Sequence, residues 1–325
     1  ARRRFIRGWK AQMHGRAKVT QTAASLPAPD QTPPASLLQD LVRAAVVPED
    51  AAWRRLPGGR TNHVWLVRGG GTARVVKLYA RDAGTPLFPN DPQAEALVLD
   101  VLSPSGLSPR PVLSGAFAAG TVLVYEHQEG DPWRSDTTPV AATLKKLHDV
   151  PVSRRMSRLP LAPDGSAALV AQTHAILAQV PAELAAPLLW MQPQGTVPPS
   201  GQRVLLHGDP VPGNLICRVD RPKALPVLVD WQCPMLGDPV LDLALFLSPA
   251  MQQVGRAAAL TPEETQRFLE AYDDRALSRR LAALQPFLHW RMAAYCLWKT
   301  TRPAPDAAYA PALRQELEAL ARLTV

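Results

Sequence analysis

The residues best suited to chemistry lie around one turn in the second half of the chain. His207-Gly208-Asp209 follows a short apolar stretch and opens a turn rich in Pro and Gly that ends at Asn214. Two further apolar stretches predict a hairpin that ends on Asp230. Carboxylate and amide oxygens are the ligands that Mg²⁺ bound to a nucleotide needs. An Asp that does not bind the metal can accept the proton of an attacking hydroxyl group.

Three motifs in a fixed order give the chain a resemblance to a known family. His207-Gly208-Asp209 with Asn214 is followed by Val229-Asp230-Trp231 and then by the run Gly237-Asp238-Pro239-x-x-Asp242-Leu243-Ala244. This set resembles the aminoglycoside phosphotransferase and choline kinase group, whose members share a bilobal fold with protein kinases. The resemblance predicts an α+β protein with a small β-rich N-lobe and a larger, mainly helical C-lobe.

The resemblance also implies roles for the residues of these motifs. Asp209 would be the catalytic base, and Asn214 and Asp230 would bind Mg²⁺. ATP would be the phosphate donor, and ATP and Mg²⁺ are the cofactors that we expect. Asp238 and Asp242 would be structural, capping a helix and holding the catalytic loop.

One lysine and one glutamate form a second candidate pair. Lys77 lies within an apolar strand pattern, and taken alone it is typical of an outward-facing residue on an alternating strand. Glu95 lies on the apolar face of a predicted helix, where a charge needs a partner. The resemblance makes Lys77 that partner, in the Lys–Glu pair that holds the α and β phosphates of ATP in kinases.

A glycine turn precedes the strand of Lys77. Gly58 and Gly59 are followed by Thr61 and Asn62, and such a turn can direct backbone N–H groups at a phosphate. The segment resembles the short nucleotide loop of small-molecule kinases, and an ordinary hairpin turn is the alternative. We expect these four residues to contact the nucleotide.

Glu126 and His127 lie where the character of the sequence changes from β-like to helical. The resemblance places them between the lobes, where backbone groups would hydrogen-bond to adenine. We therefore expect a nucleotide-binding N-lobe at 31–127 and a C-lobe with the catalytic loop and substrate pocket at 128–325. Residues 1–30 are expected to be a basic, flexible tail.

The distribution of charge argues against a nucleic-acid partner. The formal net charge is +8, but seven of the 36 Lys and Arg residues lie in residues 1–24, which contain no acid. The other 29 nearly balance the 28 acidic residues, so no basic face is expected on the folded body. The chain has only three cysteines and no apolar run long enough to span a membrane. We expect a cytoplasmic protein.

The expected acceptor is a small molecule with a hydroxyl group. Only six residues lie between Asp230 and Gly237. They reach about 20 Å when extended, too little for the peptide-docking segment of a protein kinase. The acceptor could be an amino sugar, an aminoglycoside, a choline-like compound or a similar metabolite. The alternative is a catalytically inactive kinase-fold protein that binds a nucleotide or a partner; the oligomeric state stays open.

Overall fold

A five-stranded antiparallel sheet forms the N-terminal part of the protein. The computed structural model describes residues 32–56, 61–221 and 223–323, so the predicted tail, Gly58 and Gly59 lie outside the described residues. The strands lie in the order β1-β2-β3-β5-β4. Their bounds are β1 Ala52–Arg55, β2 His63–Gly69, β3 Thr72–Leu78, β4 Pro111–Phe117 and β5 Gly120–Glu126.

The two faces of this sheet belong to two different cores, because successive strand residues point to opposite faces. One face forms a core with helix α1 (Ala35–Arg43), made of Leu37, Leu41, Val76, Leu78, Val122 and Val124. The other face joins the core that contains α2 (Pro92–Leu102), through Val75, Tyr79, Val98, Leu99, Leu123 and Tyr125. Lys77 has the parity of Val75 and Tyr79, so it lies on the α2 face.

Helices dominate the rest of the described chain. They are α3 Thr138–His148, α4 Gly165–Leu177, α5 Ala182–Trp190, α6 Val240–Leu247, α7 Pro249–Arg256, α8 Pro262–Tyr272, α9 Arg275–Thr300 and α10 Tyr309–Leu323. The long helix α9 packs against both α4 and α10. None of the helices in the described ranges is long and apolar enough to cross a membrane.

Two small sheets among these helices carry the turn with the chemical residues. Strands β7 (Val204–Leu206) and β10 (Met235–Gly237) pair antiparallel. Strands β6 (Asp131–Pro132), β8 (Leu215–Cys217) and β9 (Val227–Leu228) form the second sheet, in the order β6-β8-β9. The predicted hairpin ending on Asp230 is therefore confirmed, because β8 pairs with β9.

The predicted α+β class is confirmed, and side-chain caps begin helices such as α2 and α8. Asp91 caps α2 by accepting hydrogen bonds from the N–H groups of Gln93 and Ala94. The capping box of Thr261 and Glu264 begins α8. Strand β8 ends at Cys217, where its pairing with β6 stops, and Val219 beyond it is 72% exposed.

Candidate active site

The turn that carries Asp209 requires glycine at position 208. Gly208 has φ +78°, and a Cβ there would collide with the backbone oxygen of Cys233. Only glycine accepts both the left-handed conformation and this contact. Asp209 follows directly, half-buried at the wall of a cavity. The close contact between two loops therefore determines where Asp209 lies.

Asp242, on α6, holds the same turn through hydrogen bonds to its backbone. Its fully buried carboxylate accepts hydrogen bonds from the backbone N–H groups of His207 at 2.8 Å and Gly208 at 2.9 Å. His148 Nε2 lies 3.2 Å from the same carboxylate. This arrangement gives Asp242 a bracing role that agrees with the structural role expected from the sequence.

Asn214 and Asp230 lie next to each other because the β8–β9 hairpin joins their segments. The Val229 N–H donates to the Asn214 carbonyl oxygen at 2.9 Å. Asn214 Nδ2 donates to the backbone oxygen of Asp209 at 2.9 Å and to its Oδ2 at 3.2 Å. The three residues expected to share a site therefore lie together and line one cavity.

Lys77, which is itself buried, joins the two parts of the protein through two contacts, one with buried Glu95 and one with part-exposed Asp230. Its Nζ lies 2.6 Å from Glu95 Oε2 and 2.5 Å from Asp230 Oδ1. The Tyr79 hydroxyl also donates to Glu95 Oε2. Burial alone would lower the pKa of Lys77, but the carboxylates of Asp230 and Glu95 outweigh burial and raise it. The lysine therefore stays charged, and the predicted contact between Lys77 and Glu95 is confirmed.

Asp209 is the carboxylate whose ionisation is most suited to proton transfer. Burial first, and then the charge of Asp230, raise its pKa from 3.8 to about 7. The hydrogen bond from Asn214 acts in the opposite direction and lowers the pKa. A general base works best when its pKa lies near the operating pH.

The two described residues of the glycine turn have different surroundings. Thr61 lines the cavity that Asp209 and Asp230 also line. Asn62 is 4% exposed, and its Nδ2 donates to Asn90 and Gln232, at 2.8 Å each. Its Oδ1 accepts from the Ala80 N–H at 3.1 Å. The Asn62 amide is thus used within the protein, so its side chain holds the turn instead of facing a nucleotide.

Glu126 ends strand β5 and His127 follows it, and the N–H groups of both donate to backbone oxygens. The N–H of Glu126 donates to the Arg110 oxygen, and that of His127 donates to the Ala73 oxygen. The Glu126 carboxylate accepts from Arg110 Nε at 2.9 Å. An adenine contact at these two residues would therefore have to use their carbonyl oxygens.

A cavity of about 230 Å³ opens beside these groups. Its lining contains Asp209, Asn214 and Asp230 together with side chains from helices α7, α9 and α10. Tyr295, on α9, is one of them. Phe88 and Gln232 were not predicted to line a site. The sequence could have indicated Gln232, because it is a polar residue between Trp231 and Cys233.

The donors around Asp230 fit a magnesium ion bound with a phosphate. Asn214 and Asp230 offer an amide oxygen and a carboxylate oxygen, the hard ligands that Mg²⁺ prefers. Mg²⁺ at such sites keeps several waters and uses one or two carboxylates plus substrate phosphates. Across the described ranges, no cluster of three or more His, Cys, Asp or Glu residues forms a metal site from protein alone.

Comparisons with known proteins bear on the fold of the chain. Choline kinase from Cryptosporidium parvum is similar over 89% of this chain and 95% of its own, with a TM-score of 0.60 and 13% identity. Ethanolamine kinase from Plasmodium vivax is similar over 89% and 87%, with a TM-score of 0.59 and 14% identity. An ADP-bound aminoglycoside phosphotransferase covers 90% of this chain and 100% of its own, with a TM-score of 0.59 and 14% identity.

These likenesses establish the protein-kinase-like bilobal fold. The family model described as the phosphotransferase enzyme family matches residues 52–287, more than half of the chain. That range contains Lys77, Glu95, Asp209, Asn214 and Asp230. The chain is a member of the phosphotransferase enzyme family.

Proposed function

We propose that the protein is an ATP-dependent kinase that transfers the γ-phosphate of Mg-ATP to a hydroxyl group of a small molecule. One observation carries the proposal. Lys77 is held between Glu95 and Asp230, while Asp209 and Asn214 line the same cavity as Asp230. A cation for phosphates, a base for the acceptor and oxygen ligands for a metal are thus within one site.

Asp209 would act on the acceptor. The hydroxyl oxygen attacks the γ-phosphorus while its proton passes to a carboxylate oxygen of Asp209. The bond from the γ-phosphorus to the bridging oxygen breaks, and ADP leaves with that electron pair. Asn214 orients the base, because its Nδ2 donates to Asp209 Oδ2 at 3.2 Å.

Lys77 would bind the α and β phosphates, and Glu95 would keep its ammonium group in place. Asn214 and Asp230 are the residues that would hold Mg²⁺, which neutralises charge on the phosphates when it is bound. Phosphoryl transfer depends mainly on such positioning and charge stabilisation. The buried contacts of Lys77 keep its ammonium group oriented before a nucleotide arrives.

A small acceptor fits the short connection after Asp230. Strand β10 begins at Met235, so only Trp231–Pro234 lie between Asp230 and a strand that pairs with β7. This connection contains no Ser, Thr or Tyr and leaves no length for a peptide-docking platform. The expected candidates remain amino sugars, aminoglycosides, choline-like compounds and similar metabolites.

ADP formation from Mg-ATP, screened against a library of hydroxylated metabolites, tests the proposal. The matched variants are Asp209→Asn and Asp220→Asn; Asp220 is an exposed acid paired with Arg218. We expect acceptor-dependent ADP formation to fall by about 10²–10⁴ in Asp209→Asn, the usual contribution of a positioned base. Asp220→Asn should keep wild-type turnover. Equal turnover in wild type and Asp209→Asn would contradict the role of Asp209.

The alternative is an inactive kinase-fold protein, and nucleotide binding separates the two. Ligand at 100 times its dissociation constant adds about 2.7 kcal/mol to stability, or several degrees in Tm at roughly 2–4 °C per kcal/mol. We expect Mg-ADP to raise Tm and Asp230→Ala to reduce that shift. A Tm shift without turnover of any acceptor would favour the inactive protein.

A further inference from the structure

Three side-chain amides meet between the glycine turn and the loop that carries Asp230. Asn62 ends the glycine turn, Asn90 lies just before helix α2, and Gln232 lies two residues after Asp230. Asn62 Nδ2 donates to Asn90 Oδ1 and to Gln232 Oε1, at 2.8 Å each. Asn62 is 4% exposed and Gln232 is 5% exposed. A buried amide without partners is costly, so these contacts determine how each amide is turned.

One backbone group determines which end of the Asn62 amide is the oxygen. The Ala80 N–H can only donate, and it donates to Asn62 Oδ1 at 3.1 Å. The other end of the amide is therefore the NH2 group, which can only donate. Asn90 Nδ2 donates to the same Asn62 oxygen at 2.9 Å and completes a reciprocal pair. All four hydrogen-bonding positions of the Asn62 amide are thus used.

The orientation of Asn62 determines that of Gln232. The end of the Gln232 amide that meets Asn62 Nδ2 must accept a hydrogen bond, so this end is the oxygen Oε1. The opposite end is Nε2, which has two N–H donors and no acceptor. The contact with Asn62 therefore uses the oxygen of the amide and leaves its donor group on the other side.

The donor group of Gln232 is unused within the described part of the chain. Nε2 makes no hydrogen bond to any described residue, although Oε1 does. Nε2 is also not one of the described side-chain atoms that are buried without a partner, so it keeps accessible surface. Gln232 lines the cavity that Asp209 and Asp230 also line. An oriented donor beside a cavity is suited to fix one oxygen of a ligand.

Backbone contacts hold the loop of Gln232 independently of its side chain. The Asp91 N–H donates to the Gln232 carbonyl oxygen at 3.1 Å. The neighbouring Cys233 Sγ donates to the Pro89 oxygen at 3.0 Å. These two contacts do not involve the Gln232 amide. A substitution of the side chain alone therefore leaves them in place, and the effect of the lost donor can be measured.

Under the proposed function, the oxygen that meets this donor belongs to the terminal phosphate. Lys77, proposed to bind the α and β phosphates, is not part of the cavity lining, whereas the proposed base Asp209 is. The acceptor hydroxyl at Asp209 attacks the terminal phosphorus, so the phosphate that enters this cavity is the terminal one. Gln232 belongs to the loop of Asp230, and helices α7, α9 and α10 supply other parts of the wall.

We infer that Gln232 binds the terminal phosphate of the nucleotide by donating a hydrogen bond from Nε2. This inference rests on the proposed function and adds a binding residue to it. Phosphate oxygens accept hydrogen bonds, and a bond to a charged oxygen is about twice as strong as a bond between neutral groups. A donor that is oriented before the nucleotide arrives needs no reorganisation during transfer.

Two nucleotides that differ in the terminal phosphate test the inference. They are Mg-ADP and the Mg²⁺ complex of the β,γ-imido analogue of ATP, and their dissociation constants are measured by calorimetry. Gln232→Glu keeps an oxygen that accepts from Asn62 but replaces the NH2 group by a second oxygen. Gln232→Met removes both polar ends without adding charge. The control Gln194→Glu adds the same charge at an exposed residue.

We expect both Gln232 variants to discriminate between the two nucleotides. The affinity for the imido analogue should fall at least about tenfold, which corresponds to 1.4 kcal/mol, while that for Mg-ADP stays within about threefold of the wild type. Gln194→Glu should bind both nucleotides as the wild type does. Retained binding of Mg-ADP verifies that each variant folds, and a variant that does not fold is replaced by Gln232→Leu.

Several results would overturn the inference. Equal losses for both nucleotides would mean that the side chain only holds the loop. Unchanged affinity for both, with or without a higher KM for the acceptor, would exclude a contact with the terminal phosphate. A selective loss in only one of the two variants would exclude the donor as its cause. If the wild type binds neither nucleotide, the proposed function fails first, which distinguishes that failure from a wrong role for Gln232.

Discussion

Replacing Asp209 by Asn should make the protein more stable at neutral pH, by an amount that depends on pH. Burial and Asp230 raise the pKa of Asp209 from 3.8 to about 7 in the folded protein. Between those values the folded state binds more protons than the unfolded state, so stability falls as the pH rises. Asn does not ionise, and the variant therefore avoids this loss.

The size of the effect follows from the shift. Roughly three pKa units correspond to about 4 kcal/mol at about 1.4 kcal/mol per unit. This value is an upper limit, because the carboxylate is only half-buried and solvent screens exposed charges. We expect about 1–2 kcal/mol to remain at pH 8, or several degrees in Tm at roughly 2–4 °C per kcal/mol.

Thermal unfolding at pH 4.5 and pH 8, at constant ionic strength, is the assay. The Tm of Asp209→Asn should exceed that of the wild type clearly at pH 8 and much less at pH 4.5. The control is Asp220→Asn, since the hydrogen bond from Arg218 lowers the pKa of exposed Asp220. That variant should gain nothing at pH 8. A Tm difference for Asp209→Asn that is the same at both pH values would refute the raised pKa.

Three further outcomes are expected. With an identified acceptor, kcat/KM should rise about tenfold from pH 6 to pH 8. The reason is that the ionised fraction of a base with pKa about 7 rises from about one tenth to about nine tenths over this range. A flat pH profile would argue against Asp209 as the base. Lys77→Met should raise KM for ATP and lower kcat, as expected for a group that binds the phosphates before and during transfer; steady-state kinetics with unchanged KM would contradict that role. Gly208→Ala should lower Tm. The control Gly213→Ala should leave Tm nearly unchanged, because a Cβ at Gly213 meets nothing within 4 Å. Equal Tm values for the two variants would show that the contact with Cys233 relaxes freely.

The central part of the site was predictable because its signals are local. Asp209 and Asn214 are five residues apart in one turn, and Asp230 ends a hairpin whose strands are evident as apolar stretches. The contact between Lys77 and Glu95 spans 18 positions, but a carboxylate on the apolar face of a helix indicated that a cation must lie nearby. The chemistry assigned to these residues remains a prediction.

The cluster of Asn62, Asn90 and Gln232 could not be predicted in this way. Its members come from three separate segments, and only the folded chain brings their amides together. Asn62 was expected at the nucleotide because it follows two glycines, a local signal that says nothing about Gln232, 170 positions away. Contacts between distant segments therefore give the Asn62 amide a structural role, in hydrogen bonds to Asn90 and Gln232.

Some elements lacked a clear periodic signal. Helix α6 is apolar on nearly all sides because it is buried, so no amphipathic period marks it. Helix α5 contains Pro187, a residue that normally argues against a helix. The exposure of strand β4 alternates, but the strand contains Pro and Gly, which are weak strand formers, so its sequence gives little strand signal.

The walls of the cavity beside Asp209 come from different parts of the chain than Asp209, Asn214 and Asp230 themselves. Asp209, Asn214 and Asp230 lie on the turns of the small sheets, whereas Met251, Tyr295 and other wall residues project from helices. Substitutions on those helices change the shape of the cavity without altering the backbone contact between Gly208 and Cys233. Under the proposed function, helix substitutions would therefore change the acceptor, during evolution or by directed mutagenesis, while Asp209, Asn214 and Asp230 keep their positions.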